Sequence, residues 1–233
     1  MKKKKNSISQ IQLFAFFVVI ILGLVTFYLP KGKPELFLNQ YHHPLFDLFF
    51  ATWTHLGDAV ILLVLLPILA LRKVSFAIFM SLSVIVQTLL IMITKHGFFK
   101  GMPRPAEYLK DIAFYKVPGI ELHHWNSFPS GHTATGLVIA SCFMIIFSRR
   151  RHLQWIFLLG GFLVAISRVY LMQHFFVDIF AGAALGMLSA WIGRALYFQF
   201  FPSKRFKRSL LVYMGFGKIK RVIPPIKNPG ISV

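Results

Sequence analysis

The sequence predicts an all-α integral membrane protein, a six-transmembrane-helix bundle, and three observations carry that prediction. Its 233 residues are 56% hydrophobic and 14% charged, with a mean hydropathy of +0.65, whereas soluble domains carry about 25% charged residues. Six apolar stretches approach the roughly 20 residues that a helix needs to cross ~30 Å of hydrocarbon. The basic residues divide unequally between the two sides those stretches define.

The stretches run over approximately 11–29, 55–71, 74–94, 132–147, 154–171 and 177–200. The first follows Lys2 to Lys5 and reads as a retained signal anchor: its apolar core exceeds the ~7–15 residues of a cleaved signal, and no small-residue cleavage site follows Tyr28-Leu29-Pro30. With the N-terminus in the cytoplasm, 18 of the 26 basic residues fall on the inner side, among them Arg72, Lys73, Arg149 to Arg151, Arg194 and the run from Lys204 to Lys227. All seven acidic residues fall on the outer side. The formal net charge of +19 is therefore a positive-inside signature, and a nucleic-acid partner is excluded on that ground. Both termini are expected in the cytoplasm. Residues 1–200 read as one membrane domain with an outer loop over about 95–131, and 201–233 as a basic cytoplasmic tail suited to anionic lipid. The single cysteine, Cys142, rules out a disulfide framework.

Ionisable groups at membrane depth are costly and usually functional. Here they gather in three places on the outer side: Lys95 to Arg104-Pro105, Pro129-Ser130-Gly131-His132, and Ser167-Arg168 followed by His174 and Asp178. His174 and Asp178 are four apart, so on a helix they share a face. A carboxylate there can take one imidazole N–H and leave the other nitrogen as a nucleophile or base; the same pair could simply close a helix end. Ser130-Gly131 at the start of a helix presents backbone N–H groups that suit an anion, and His132 stands over that place as a proton donor, although Ser130 could equally be an ordinary N-cap. Lys95, Arg104 and Arg168 bring positive charge suited to phosphate oxygens. Together these residues specify phosphoryl transfer. No carboxylate pair or His/Cys cluster calls for a metal, and no cofactor is expected.

At these residues the sequence resembles the type 2 phosphatidic acid phosphatase family, related to the vanadium haloperoxidases, whose signature is K-x6-RP, PSGH and SR-x5-H-x3-D. The second and third parts are matched in full, with gaps of 23 residues from Pro105 to Pro129 and 34 from His132 to Ser167. The first part departs: eight residues separate Lys95 from Arg104 and three separate Lys100 from it. Lys95 is preferred because it closes the third span. The resemblance extends from Thr54-His55-Leu56-Gly57-Asp58 to the sixth span. It implies an acid phosphatase/haloperoxidase-like helical core, with His174 as a nucleophile forming a phosphohistidine, Asp178 orienting it and His132 as general acid. It also implies a phosphate cradle of Lys95, Arg104, Ser130, Gly131, Arg168 and Ser167, and no metal.

The expected activity is removal of phosphate from a bacterial envelope lipid at the outer face of the cytoplasmic membrane. The candidate substrates are lipid A, undecaprenyl diphosphate, phosphatidylglycerophosphate and phosphatidate. Two alternatives stay open on the sequence: a lipid phosphotransferase using the same intermediate, and a non-enzymatic transporter or scaffold.

Overall fold

The computed structural model describes residues 8–201, 206 and 208–215. Among the described residues every regular element is helical. In order they are α1 (Gln10–Tyr28), α2 (Lys33–Asn39), α3 (Pro44–Trp53), a 3-10 turn (Thr54–Gly57), α4 (Ile61–Arg72) and α5 (Val74–Met92) with a π-helical extension (Ile93–Phe98). There follow α6 (Pro105–Tyr108), α7 (Gly131–Ile146), α8 (Arg151–Tyr170), α9 (Phe176–Phe200) and α10 (Leu210–Tyr213).

Helix α7 is the centre of the bundle. Ala134, Leu137, Val138 and Cys142 are fully buried, and α5, α8 and α9 pack around it while α1 lies against α9. Small residues let the backbones approach, as is usual where apolar contact alone cannot drive helices together in lipid. A β-carbon on Gly182 would stand 2.4 Å from the Ser130 carbonyl oxygen, and one on Gly186 would stand 2.4 Å from that of Ala134. A buried polar tie joins the outermost helix to the centre, where Gln12 Nε2 donates to the Ser141 carbonyl at 3.0 Å. The outward faces are apolar, with Phe14, Phe17, Ile21 and Phe27 of α1 all exposed, as a lipid-facing helix requires.

Among the described residues, four helices are long and apolar enough to cross a membrane: α1, α5 with its extension, α8 and α9. A fifth candidate is the bent pair formed by Pro44–Gly57 and Ile61–Arg72, which meet at 59°. Helix α7 is apolar but has 16 residues, about 24 Å at 1.5 Å per residue. Six uniform spans are therefore not what the fold displays.

The expected span over 55–71 is the one that changes most. The chain bends there, because the 3-10 turn is pressed onto the core. A β-carbon on Gly57 would lie 2.7 Å from both the His132 carbonyl oxygen and Val164. Residues 30–53, to which hydropathy assigned no element, form α2 and α3. Buried Asp47 of α3 accepts from the hydroxyls of Tyr115 and Tyr170, fastening α3 to the outer loop and to α8. Of the expected tail, α10 lies against α4 and Val74 donates to the Arg208 carbonyl at 3.0 Å; residues 202–205, 207 and 216–233 lie outside the described residues.

Candidate active site

The third motif owes its spacing to the way α8 ends. Gln173 N–H donates to the Arg168 carbonyl and Met172 N–H to that of Val169, both at 2.9 Å, with Met172 left-handed at φ 53°. That is a Schellman turn, and His174 N–H reaches the same Arg168 carbonyl at 3.1 Å. The five intervening residues thus return the chain so that His174 stands beside the last turn of α8. Helix α9 then starts at Phe176, and Asp178 accepts from Phe175 N–H at 3.0 Å as part of its cap.

His174 is held from both sides. Its Nδ1 lies 3.3 Å from Asp178 Oδ2, and its Nε2 lies 3.3 Å from Arg104 Nη1. A guanidinium only donates, so Nε2 carries the lone pair and the ring proton sits on Nδ1, donated to Asp178. Both residues are buried, at 1% and 2% exposure. Burial first, and then the charges of Arg104 and Arg168, hold the His174 imidazole well below its ordinary pKa of 6.5. The ring is neutral, with its lone pair on Nε2. Asp178 Oδ2 also receives the Ser127 hydroxyl, and the Asp178 carbonyl accepts from Ser130 N–H at 3.1 Å, which joins the third motif to the second.

Arg104 comes from the outer loop, where two extended segments pair: Arg104 N–H donates to the His124 carbonyl at 2.8 Å and Ser127 N–H to that of Met102 at 3.0 Å. Its Nε donates to the Trp125 carbonyl at 2.9 Å and its Nη1 to the Gln173 carbonyl at 3.2 Å. Arg168 Nη1 donates to Thr54 Oγ1 at 2.8 Å. Its Nε is buried and has no hydrogen-bond partner. A buried donor left unpaired costs about 1–3 kcal/mol, and an anion oxygen would satisfy it.

Ser130 is the N-cap of α7, accepting from Thr133 N–H at 3.4 Å and from the Thr133 hydroxyl at 3.0 Å. Its oxygen therefore shapes the helix end, and the first-turn N–H groups of Gly131 and His132 are the donors such an end offers. Nothing lies within 4 Å of where a β-carbon on Gly131 would point. His132 Nε2 is 2.6 Å from Asp58 Oδ1. Lys95 lies on the π-helical extension of α5, half-buried and within electrostatic reach of Arg104, Asp178 and Arg168; Lys100 is exposed beyond it. Ser167 is not brought into this group, because its hydroxyl donates to the Val164 carbonyl at 2.7 Å within its own helix.

The fold thus collects His132, His174, Asp178, Arg104 and Arg168 about one place, with Lys95 in electrostatic reach. Among the described residues no three His, Cys, Asp or Glu side chains are grouped to hold a metal. Sequence reasoning missed Thr54, Asp58, Ser127 and Gln173 as contributors, and also Glu35, whose carboxylate accepts from Gly32 N–H at 3.1 Å and Phe176 N–H at 2.8 Å and so fixes the start of α9. Only Gly57-Asp58 ahead of an apolar run gave a local signal.

A family model described as the PAP2 superfamily matches residues 72–202, which takes in all three motif segments. The chain belongs to the PAP2 superfamily. Among solved structures, LpxE of Aquifex aeolicus is 30% identical with a TM-score of 0.63, covering 71% of this chain and 94% of that one. The phosphatidylglycerolphosphate phosphatase of Bacillus subtilis is 24% identical, with a TM-score of 0.58 over 84% of this chain and 98% of that one, a likeness of fold. A probable lipid phosphate phosphatase 4 of Arabidopsis thaliana is 33% identical over 117 residues, covering 45% of this chain and 37% of its own length. The bacitracin transport permease protein BcrC of Bacillus licheniformis is 35% identical over 103 residues, 44% of this chain and 46% of its own. The chain spans less than half the length of those two relatives.

Proposed function

We propose that this protein is a lipid phosphatase that cleaves a phosphate ester or anhydride of a bacterial envelope lipid through a phosphohistidine on His174. The observation that carries the proposal is the bracketing of His174 between Asp178 and Arg104, which leaves Nε2 as a lone pair among cations. Membership in the PAP2 superfamily and the likeness to a probable lipid phosphate phosphatase support the substrate class.

In the first half-reaction His174 Nε2 attacks phosphorus while Arg104, Arg168, Lys95 and the first-turn N–H groups of α7 hold the non-bridging oxygens. The bond from phosphorus to the leaving oxygen breaks, and His132 gives that oxygen a proton. Asp178 stabilises the positive charge that grows on the His174 ring. In the second half-reaction water attacks the phosphohistidine, His132 takes back a proton, and phosphate leaves. Nucleophile and leaving group lie in line on opposite sides of phosphorus, so the lipid leaves on the His132 side. There a crevice of about 240 Å³ opens between α4, α5 and α7, lined by His132 and Asp58 and by apolar side chains such as Leu62, Val84 and Ile91. The tail lies in that crevice. Helix α7 serves as a short sixth span in the middle of the bundle, both termini face the cytoplasm, and the site opens to the outer face, as the distribution of basic residues supports.

The test is phosphate release by the purified protein in detergent with EDTA, over a panel of lipid phosphates that includes lipid A, beside His174→Ala. Release that the variant abolishes supports a metal-independent phosphatase; equal release by the variant contradicts it. Adding acceptor lipid separates the phosphotransferase reading, since transfer yields a new lipid phosphate in place of free phosphate. The transporter reading is favoured by the name of one relative, a transport permease. It predicts solute movement in liposomes that His174→Ala leaves intact.

A further inference from the structure

Asp58 belongs to none of the three motif segments, yet its carboxylate joins two histidines. Oδ1 stands 2.6 Å from His132 Nε2, and Oδ2 stands 2.7 Å from His55 Nδ1. The segment that carries it is clamped on both sides of the site. Thr54 takes the guanidinium of Arg168, and Gly57 is packed so closely on α7 and α8 that a β-carbon there would collide with the His132 carbonyl oxygen and Val164. The bend that breaks the expected second span therefore has a chemical result: it delivers a carboxylate to the ring at the mouth of α7. Without it His132 would face only positive charge and another imidazole, since Arg104, Arg168 and His174 are the other titratable groups in its electrostatic surroundings.

We propose that Asp58 is the positioning residue of the general acid, holding His132 in orientation and keeping a proton on its ring, while His55 fixes the second carboxylate oxygen. This rests on the phosphohistidine reading above. A protonated imidazole has two N–H groups. One is held by Asp58. The other is transferred: its N–H bond breaks and an O–H bond forms on the leaving oxygen as the phosphorus–oxygen bond breaks. The proton lost by the attacking water in the second half-reaction returns to the same nitrogen, so a full turnover moves no net proton through Asp58. A carboxylate that accepts from the ring favours its protonated form, the form an acid must start in. The arrangement mirrors Asp178 and His174 on the other side of phosphorus: one carboxylate per histidine, serving opposite proton states.

The consequence is a dependence on the leaving group. An alkyl phosphate needs its leaving oxygen protonated, whereas an aryl phosphate such as p-nitrophenyl phosphate expels a stable anion and needs little help. In Asp58→Asn, kcat for the lipid phosphate should fall by about 30- to 300-fold, around the lower end of the roughly 100- to 10,000-fold that general-acid catalysis supplies, because the acid is weakened and not removed. The first turnover of the aryl ester, read as the burst of p-nitrophenol that precedes the second half-reaction, should stay within about threefold of the parent, which also reports an intact fold and nucleophile. The basic limb of the lipid pH profile should move to lower pH, because the ring loses its proton more readily. His132→Ala should show the same selectivity between the two esters in the first turnover, while its steady-state rate falls for both because the second half-reaction lacks its base. Equal loss on both esters in the first turnover, or a lipid profile whose basic limb does not move, would overturn the assignment. If the aryl ester proves too poor a substrate, the shift of that limb decides alone. Full activity in His174→Ala would instead overturn the phosphohistidine reading, so the two failures are distinct.

Discussion

Replacement of Asp178 by asparagine separates charge from shape at the proposed nucleophile, His174. Three donors converge on one oxygen of this carboxylate: His174 Nδ1 at 3.3 Å, Phe175 N–H at 3.0 Å and the Ser127 hydroxyl. An asparagine carbonyl in the same place accepts all three, so the cap of α9 and the ring orientation survive. What disappears is the negative charge beside a ring that becomes cationic as Nε2 bonds to phosphorus. Unit charges about 4 Å apart interact by roughly 4 kcal/mol at an effective dielectric of about 20. With about half of the ring charge developed in the transition state, and with a charge-assisted bond weakened to a neutral one, the loss is about 2–4 kcal/mol. That is about 30- to 1,000-fold in kcat, at 1.36 kcal/mol per decade. Single-turnover phosphate release measures it, with thermal unfolding in the same detergent as the control. Asp178→Ala should lose activity and unfold at a clearly lower temperature, because it leaves three buried donors without an acceptor. An asparagine variant within threefold of the parent rate, or one as thermally labile as the alanine variant, would refute the electrostatic role.

Further outcomes follow from packing, protonation and the crevice. Gly186→Ala should destabilise the protein by about 1–3 kcal/mol, since its β-carbon would stand 2.4 Å from the Ala134 carbonyl oxygen; Gly97→Ala, with nothing within 4 Å, should not, and melting temperatures decide. Because the buried His174 ring stays neutral while the unfolded chain binds a proton near pH 6.5, stability should fall as pH drops below 6.5. The drop should be smaller in His174→Gln, and an identical pH dependence in the two proteins would contradict the neutral ring. Ile91→Trp narrows the crevice beside His132 and should raise KM for a long-chain lipid phosphate by about tenfold, one decade of binding free energy, while sparing a short-chain analogue. An equal effect on both chain lengths would place the tail elsewhere.

Much of this architecture is legible along the chain, and the exceptions have a common cause. The expected stretches 11–29, 74–94, 132–147, 154–171 and 177–200 lie within a few residues of α1, α5, α7, α8 and α9, because continuous hydropathy is a local property. The expected stretch 55–71 does not match, since its first residues obey a tertiary contact of Gly57 that no window of hydropathy contains. The spacing of His174 and Asp178 and the N-cap at Ser130 are likewise local, and the turn after α8 explains why five residues separate Arg168 from His174. Asp58, Thr54, Ser127 and Gln173 reach the site only through contacts spanning 51 to 114 residues for the side-chain bonds of Ser127, Gln173 and Thr54. The hydroxyl of Ser167 was expected in the cradle, but a helical serine can satisfy itself on the carbonyl one turn back, and here it does.

The central claim is a covalent phosphate on His174. It is tested most directly by mixing the enzyme with a lipid labelled in its phosphate, quenching within milliseconds to seconds under alkaline conditions that preserve phosphohistidine, and mapping the label by mass spectrometry. With labelled p-nitrophenyl phosphate, whose leaving group needs little help from an acid, His132→Ala should increase the trapped amount because its second half-reaction lacks the proposed base. The account predicts label on Nε2 of His174 and none in His174→Ala. Turnover with no covalent label at any time, or a label on another residue, would contradict it.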